Sequence, residues 1–140
     1  MMALASPAGA KIMRDVILAF VRVHLLHHAA EKRIFGLEMI EELKRHGYAL
    51  SAGTLYPLLH AMEADGILAS TQEVVEGKVR RYYRTTQSGD ALLAQLRAKI
   101  GELVDEVLDH HPPAKPTRSK APKRIAVNSR RRQNHAAGAK

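Results

Sequence analysis

Residues 51–60 begin with very small residues and include several side chains that can hydrogen-bond, a combination suited to reading the edges of DNA bases. A helix with small residues at its start can bring its backbone close to DNA, and the major groove shows a distinct donor and acceptor pattern for each base pair. The free N–H groups at such a helix start also favour a phosphate, which Ser51 and Thr54 could receive. The candidate set is Ser51, Ala52, Gly53, Thr54, Tyr56 and His60.

A second set of candidates surrounds a glycine further along the chain, where residues 77–84 place four cations and two tyrosines beside a tight turn. Lys78, Arg80 and Arg81 at the tip are predicted to reach backbone phosphates or the minor groove. By the alternation of a strand, Tyr83 is predicted to pack on the core. The alternative is that these arginines are only the solvated face of a strand.

Histidines form a third pattern, because His24, His27 and His28 lie three and four positions apart and a further pair stands at positions 110–111. This spacing on a helix could chelate a metal ion. Packed or solvent-facing histidines are the simpler interpretation, since no carboxylate that completes a site can be identified. We therefore predict no metal and no cofactor. The catalytic motifs H-E-x-x-H, G-x-S-x-G, the Walker loop and G-x-G-x-x-G are absent, so no enzyme is predicted.

The elements that must position these residues follow from the apolar spacing and the turn residues. Helices are predicted over about 11–30 and 36–46, with Gly47 ending the second, and a third runs from the N-cap Ser51 to about 65. The first is apolar on nearly all sides, which predicts burial against more than one partner. Strands are predicted over about 67–74 and 79–85, joined by a turn at 75–78. A mainly α chain with one β-hairpin in this order is a winged helix-turn-helix.

The last predicted helix, from about 89 to 109 after a cap at Thr86 or Ser88, has a heptad seam rather than a broad apolar face. Such a seam is typical of pairing with another helix, so it predicts a homodimer. The alternative is that the seam packs only within its own subunit. The seam residues are Leu93, Leu96, Ile100, Leu103 and Val107.

Charge divides the chain of 140 residues unevenly, although the formal net charge is +8. Residues 112–140 contain nine Lys or Arg and no acid, whereas residues 1–111 contain 13 bases and 14 acids, a net charge of −1. We predict a flexible lead-in over 1–10, a DNA-binding domain over 11–86, a dimerisation helix over 87–111 and a disordered basic tail over 112–140.

Cysteine is absent, which excludes disulfides and zinc–thiolate sites, and no oxidising compartment is implied. The first residues lack a charged segment followed by an apolar one. The longest apolar stretch, 16–26, is interrupted by Arg22 and His24. Neither secretion nor membrane spanning is expected, and we predict a cytoplasmic, nucleoid-associated protein.

Three segments together resemble the PadR family of transcriptional regulators: Ser51-Ala52-Gly53-Thr54-Leu55-Tyr56-Pro57-Leu58-Leu59, then residues 62–68, then residues 77–85. The similarity extends in one register from about Val16 to Leu108. It implies a repressor that dimerises through its C-terminal helix and that often releases double-stranded DNA when a small molecule binds near the dimer interface. A single C-terminal helix is similar to the shorter PadR subgroup.

The chain departs from the family where a His-Gly-Tyr segment usually opens the second helix, because Phe35-Gly36-Leu37 stands there. Phosphate contact at this point is not expected, since acidic residues follow. Three functions stay open on the sequence. The first is a dimeric repressor on a pseudo-palindromic operator, the second an architectural DNA-binding protein driven by the tail, and the third a module that binds a protein partner. A metal- or ligand-responsive regulator is a variant of the first.

Overall fold

The computed structural model describes residues 6–108, which form four helices and three strands. The chain divides into two compact units, residues 1–99 and 100–140, and the division falls inside the last helix. The elements are α1 (Pro7–Glu31), β1 (Ile34–Phe35), α2 (Gly36–Arg45), α3 (Ala52–Ala64), β2 (Leu68–Val75), β3 (Lys78–Thr85) and α4 (Gln87–Val107). The predicted winged helix-turn-helix is confirmed.

Helix α1 begins at Pro7, so the predicted lead-in over 1–10 is too long and the predicted start at residue 11 is too late. Ser6 caps the helix, because its Oγ accepts a hydrogen bond of 3.0 Å from the Gly9 N–H. Proline at the first helical position lacks an N–H that would be unpaired there in any case. The Ser-Pro pair was the signal in the sequence for this earlier start.

The prediction that α1 is buried against more than one partner is not met by this chain alone over the first half of the helix. Four large apolar side chains there remain exposed, with exposed fractions of 63% for Ile12, 59% for Met13, 39% for Val16 and 41% for Phe20. Burial begins only at Val21. Periodicity cannot distinguish an apolar face covered by the same chain from one that the chain leaves uncovered.

The turn between α2 and α3 follows the predicted pattern. Gly47 has a φ of +89°, a left-handed conformation that glycine adopts without steric cost, and its N–H donates to the Lys44 carbonyl. Ser51 stands at the N-cap position of α3, but its side chain makes no capping hydrogen bond. Its hydroxyl donates instead to the Thr54 hydroxyl at 3.4 Å.

The sheet has three antiparallel strands in the order β1-β3-β2, one more strand than predicted. The two-residue strand β1 pairs Ile34 with Tyr83 and was missed because two residues are too short to show alternation. The hairpin turn is tighter than expected, since only Glu76 and Gly77 lie between β2 and β3. Both have positive φ, +52° and +78°, as a two-residue type I′ turn requires.

The core lies where α1, α2 and α3 meet one face of the sheet. Tyr83 is 1% exposed, which confirms the prediction that it packs inward. Leu93 of α4 is 3% exposed and belongs to the same cluster. It is therefore covered by its own chain. The cluster contains Val21, Leu25, Leu26, Ala29, Ile34, Met39, Leu43, Leu55, Leu58, Leu59, Met62, Leu68, Tyr83 and Leu93.

The start of α4 is fastened to the segment that follows α3. The Thr86 hydroxyl donates to the Gly66 carbonyl at 2.6 Å and accepts from the Gly89 N–H at 3.0 Å, so Thr86 is the cap. A Cβ added at Gly89 would lie 2.2 Å from the Ile67 carbonyl oxygen, so only glycine fits at this contact. Because of this anchorage the first turns of α4 belong to the first unit.

The described part of the second unit, residues 100–108, consists of the end of α4. Its apolar side chains are exposed: Ile100 by 36%, Leu103 by 51%, Val107 by 59% and Leu108 by 62%. The predicted end near residue 109 agrees with the observed last helical residue, Val107, within two positions. The predicted tail over 112–140 lies outside the described residues.

Candidate nucleic-acid interface

The first turn of α3 is exposed and carries only small side chains. Ser51, Ala52, Gly53 and Thr54 are all exposed, while Leu55 behind them is fully buried and fixes the helix to the core. A Cβ added at Gly53 would meet nothing closer than the Ser51 Oγ at 3.7 Å. The backbone of another molecule can therefore approach this end of α3 closely, and the exposed Ser51 and Thr54 side chains can form hydrogen bonds with it.

Tyr56 and His60 lie further along the same helix in different surroundings. His60 is exposed, whereas Tyr56 is half-buried and packs against the first residue of α2. A Cβ added at Gly36 would lie 2.3 Å from Tyr56 Cε1, so the tyrosine ring occupies the space that a larger residue at position 36 would need. Tyr56 therefore contributes to packing and is also partly exposed.

The outer face of the hairpin is the face away from the core, and it is covered by a stack of aromatic and cationic side chains. The Arg33 guanidinium lies 3.8 Å from the centre of the Tyr82 ring. The ring of Phe35 meets Tyr82 edge to face at 5.5 Å. The Arg80 guanidinium then lies 4.1 Å from the centre of the Phe35 ring. We call Arg33, Tyr82, Phe35 and Arg80 the outer stack. It holds Arg80 half-buried at one end.

An ion pair continues the outer stack onto β2. Arg33 donates two hydrogen bonds to the Glu73 carboxylate, and the bond from Nη2 to Oε1 measures 3.3 Å. These bonds hold the pKa of Glu73 below its usual value and raise the pKa of Arg33. Glu73 lies opposite Arg80 in the β2–β3 register. The Arg33–Glu73 ion pair therefore joins β2 to the outer stack, which includes Tyr82 and Arg80 of β3.

Arg81 points toward the opposite face and is engaged by α3. Its Nη1 lies 3.7 Å from Glu63 Oε1, and Glu63 also accepts a hydrogen bond of 2.7 Å from the Ser70 hydroxyl. Lys78 is exposed at the tip of the hairpin. The three predicted tip cations therefore differ, because Arg80 is stacked on an aromatic ring, Arg81 is paired with a carboxylate and Lys78 extends from the turn.

A groove of about 280 Å³ brings Tyr56 together with the tip cations. The sequence analysis considered Phe35 and Gly36 only because they differ from the His-Gly-Tyr segment usual in the family. It did not predict that they line a groove. Ser51, Ala52, Gly53, Thr54 and His60 do not line it. The groove is lined by Phe35, Gly36, Leu37, Tyr56, Lys78, Val79, Arg80 and Arg81.

The fold and this surface define a winged helix-turn-helix protein. A family model described as "Transcriptional regulator PadR-like family" matches residues 25–95. The transcriptional regulator Rv3488 of Mycobacterium tuberculosis is 52% identical over 96 residues, covering 69% of this chain and 90% of that protein. The chain belongs to the PadR-like family of transcriptional regulators.

Solved structures agree with this assignment. A PadR family transcriptional regulator from Eggerthella lenta is similar at 29% identity and a TM-score of 0.55, covering 76% of this chain and all of that one. A transcriptional regulator from Clostridium thermocellum is similar at 28% identity and a TM-score of 0.58, covering 67% of this chain and 94% of that one.

The chain is thus a transcriptional regulator and not an enzyme, as its family and relatives show. DNA binding follows from membership of this family. Within residues 6–108, no helix is both long and apolar enough to cross a membrane.

Proposed function

We propose that the protein is a sequence-specific repressor that binds a pseudo-palindromic operator as a homodimer. The observation that carries this proposal is the exposed first turn of α3, where Ser51 and Thr54 offer hydroxyls and Gly53 leaves room for close approach. A helix that enters the major groove by its N-terminal residues needs this combination. Repeated by a two-fold axis, it reads two half-sites.

The groove beside the hairpin supplies contacts of another kind. Lys78 and Arg80 can hold backbone phosphates, with the Tyr56 hydroxyl as a further donor, and such contacts fix register without reading sequence. Arg81 is a weaker candidate because Glu63 already compensates its charge. DNA contacts are therefore proposed at Ser51, Ala52, Gly53, Thr54, Tyr56, His60, Lys78, Arg80 and Arg81.

The homodimer is proposed to form through α4. Leu103 and Val107 are 51% and 59% exposed, and large apolar residues at heptad spacing that face water suit a second helix. Ile100 belongs to the same seam and Leu96 is partly buried at its start, whereas Leu93 is already used by the core. The seam open to a second copy therefore runs from Leu96 to Val107.

The family resemblance implies a small-molecule effector near the dimer interface, and a cavity among the described residues of the first unit is an alternative candidate location. An open cavity of about 770 Å³ lies between α1 and the turn before α3. This volume suits a small ligand. Met13, Ile17 and Leu50 line it, and so does Thr54 of the exposed α3 turn. An apolar ligand held here would touch a proposed DNA-reading residue.

Selection of bound duplexes from a random library tests the repressor proposal. A symmetric motif with two half-sites about one helical turn apart is expected if two α3 helices read DNA together. A reporter controlled by the selected sequence should then fall in activity when the protein is expressed. A library with no enriched motif, together with equal affinity for all duplexes, would contradict sequence-specific binding.

The dimer is tested by placing charge in the open part of the seam. Leu103→Asp combined with Val107→Asp is expected to give monomers in sedimentation, because burial of unpaired carboxylates is strongly unfavourable. Ala98→Asp is the matched control, since Ala98 is exposed on the opposite side of α4 and should leave the dimer intact. Dimers in both variants would place the interface elsewhere.

An architectural role is a second candidate because residues 112–140 carry nine cations and no acid. Truncation after His111 separates the two functions. A repressor should lose affinity for random duplex more than for its operator, since the tail contains none of the proposed reading residues. If operator binding disappears at about 0.1 M salt while the dimer persists, the architectural role is favoured.

A further inference from the structure

The structure brings together three histidines that the sequence separates. His24 and His28 lie one turn apart on α1, and His46 is the C-cap residue of α2. The ring centres of His24 and His46 are 4.9 Å apart, and those of His24 and His28 are 6.3 Å apart in nearly parallel planes. One ligand atom from each of the three lies within 4.8 Å of the other two.

We propose that His24, His28 and His46 form a transition-metal site of the zinc class that joins α1 to the end of α2. Imidazole nitrogen suits Zn²⁺, Cu²⁺ and Ni²⁺, and three protein ligands with an open fourth position are a common zinc arrangement. Nitrogens that coordinate tetrahedral Zn²⁺ at about 2.0–2.1 Å are about 3.4 Å apart. The ligand atoms, which lie within 4.8 Å of one another, would have to approach to that separation around the ion.

Glu42 supplies an anionic group at the edge of the cluster. Its Oε2 lies 3.0 Å from His46 Nε2 and 3.6 Å from His28 Nε2. The Arg45 side chain also donates a hydrogen bond to Glu42. A carboxylate in this place can occupy the fourth position or orient a ligating imidazole, as partners of metal ligands often do.

His24 is partly buried, and its ring neighbours those of both His46 and His28. The ring of Tyr48 packs against His24 edge to face at 5.4 Å, which limits the directions in which the imidazole can turn. Three imidazoles so close together would repel one another if all were protonated, whereas a cation between them uses all three lone pairs.

A second histidine group is the weaker candidate. His27, His28 and Glu31 also place ligand atoms close together, but all three belong to α1. Glu31 is exposed, and it already approaches His27, with 3.6 Å between His27 Nε2 and Glu31 Oε2. Both groups have two partly buried members and one exposed member, and the difference is that the proposed site joins two helices. His28 is common to both groups, so His27 and His46 distinguish them.

Calorimetric titration of the metal-free full-length protein with Zn²⁺ tests the proposal. Loss of an outer partner of a metal ligand lowers affinity about 10–100-fold, so His46→Gln and His24→Gln should each lower zinc affinity at least about tenfold. His27→Gln is the matched control and should bind zinc as the unaltered protein does. Unchanged affinity in His46→Gln, or an equal loss in His27→Gln, would overturn the proposed site.

Two further measurements guard against an indirect effect of the substitutions. Co²⁺ should give the intense visible bands of tetrahedral coordination in the unaltered protein and in His27→Gln, but not in His46→Gln. Zinc should also raise the unfolding temperature only where the site is intact, because the ion binds the folded form. These readings need no DNA, so their outcome is separate from that of the repressor proposal.

Discussion

The first turn of α3 and the outer stack of the hairpin are built in opposite ways. At the start of α3, Ser51, Ala52, Gly53 and Thr54 are exposed, and the one side-chain hydrogen bond described among them joins Ser51 to Thr54. In the outer stack, Arg33, Tyr82, Phe35 and Arg80 hold one another in place. In the proposed complex, the stacked cation would be preordered for phosphate, whereas the exposed polar groups of the α3 turn would face the bases. The proposal therefore assigns positioning and reading of DNA to surfaces of different construction.

The largest expected effect comes from removing the centre of the outer stack. Tyr82→Ala should lower the free energy of unfolding by about 3–5 kcal/mol, because a large buried aromatic side chain is deleted and a cavity remains. Urea denaturation measures the loss. Val79→Ala is the matched control on the same strand, since Val79 is 66% exposed and its truncation should change stability by less than about 0.5 kcal/mol. An equal decrease in the free energy of unfolding in both variants would show that the outer stack does not contribute specially to stability.

The next effect concerns the cations of the hairpin. Arg80→Ala combined with Arg81→Ala should weaken binding to operator and to random duplex by similar factors, because phosphate contacts do not read sequence. The slope of log affinity against log salt should flatten by about one unit for each phosphate that is no longer neutralised. Single variants refine the comparison, and Arg80→Ala is expected to account for most of the change because Glu63 engages Arg81. Binding that is unaltered in the double variant would remove the hairpin from the interface.

A smaller and more selective effect is expected at the start of α3. Thr54→Val preserves shape but removes the hydroxyl, so operator affinity should fall by about 0.5–1.5 kcal/mol while random duplex binds as before. Fluorescence anisotropy with both duplexes measures the difference. The specificity ratio should therefore fall here and remain constant in the arginine variants. Equal weakening on both duplexes would assign Thr54 to backbone contact.

Gly53→Ala separates folding from DNA approach at the same turn. The helix should gain about 0.5–1 kcal/mol of stability, because alanine has the higher helix propensity and a Cβ at this position meets only the Ser51 Oγ at 3.7 Å. Operator affinity should nevertheless fall, since the added methyl group would face the DNA in the proposed complex. A variant that is more stable and binds equally well would show that DNA does not approach this residue.

The smallest effect is expected at Glu73, at the edge of the outer stack. Its carboxyl pKa is lowered by Arg33, so the ion pair contributes stability above the usual glutamate pKa and loses it as pH falls through the lower folded value. Glu73→Gln should therefore be slightly less stable than the unaltered protein at neutral pH. The two stability curves should converge in acid. A difference that persists at low pH would show that the charge of Glu73 is not responsible.

The sequence predicted the structure best where a feature depends only on residues close together in the chain. The order of helices, the glycine at position 47 and the inward tyrosine at 83 follow from periodicity and backbone chemistry, and all are observed. It was least successful where contacts join distant segments. The strand β1, the pairing of Arg33 with Glu73 and the approach of His46 to His24 depend on tertiary contacts that local spacing does not encode.

The apolar seam shows the same limit within one helix. Leu93 and Val107 occupy equivalent positions in the heptad pattern, yet one is 3% exposed and the other 59% exposed. The pattern predicts one apolar face of α4, but it could not show where the chain's own core stops covering that face. The contacts of Thr86 and Gly89, which hold the first turns against the core, are not encoded in that spacing.

The same anchorage couples the first turns of α4 to the end of α3. Thr86 joins its first turn to the Gly66 carbonyl, immediately after α3 ends, and the tight contact at Gly89 leaves little freedom for slippage. A rotation applied to the first turns of α4 would therefore be transmitted to the end of α3 instead of being absorbed by a flexible joint. If the proposed homodimer forms, such coupling would let a rotation of the first turns of α4 change the orientation of α3 without any change in the residues of its exposed first turn.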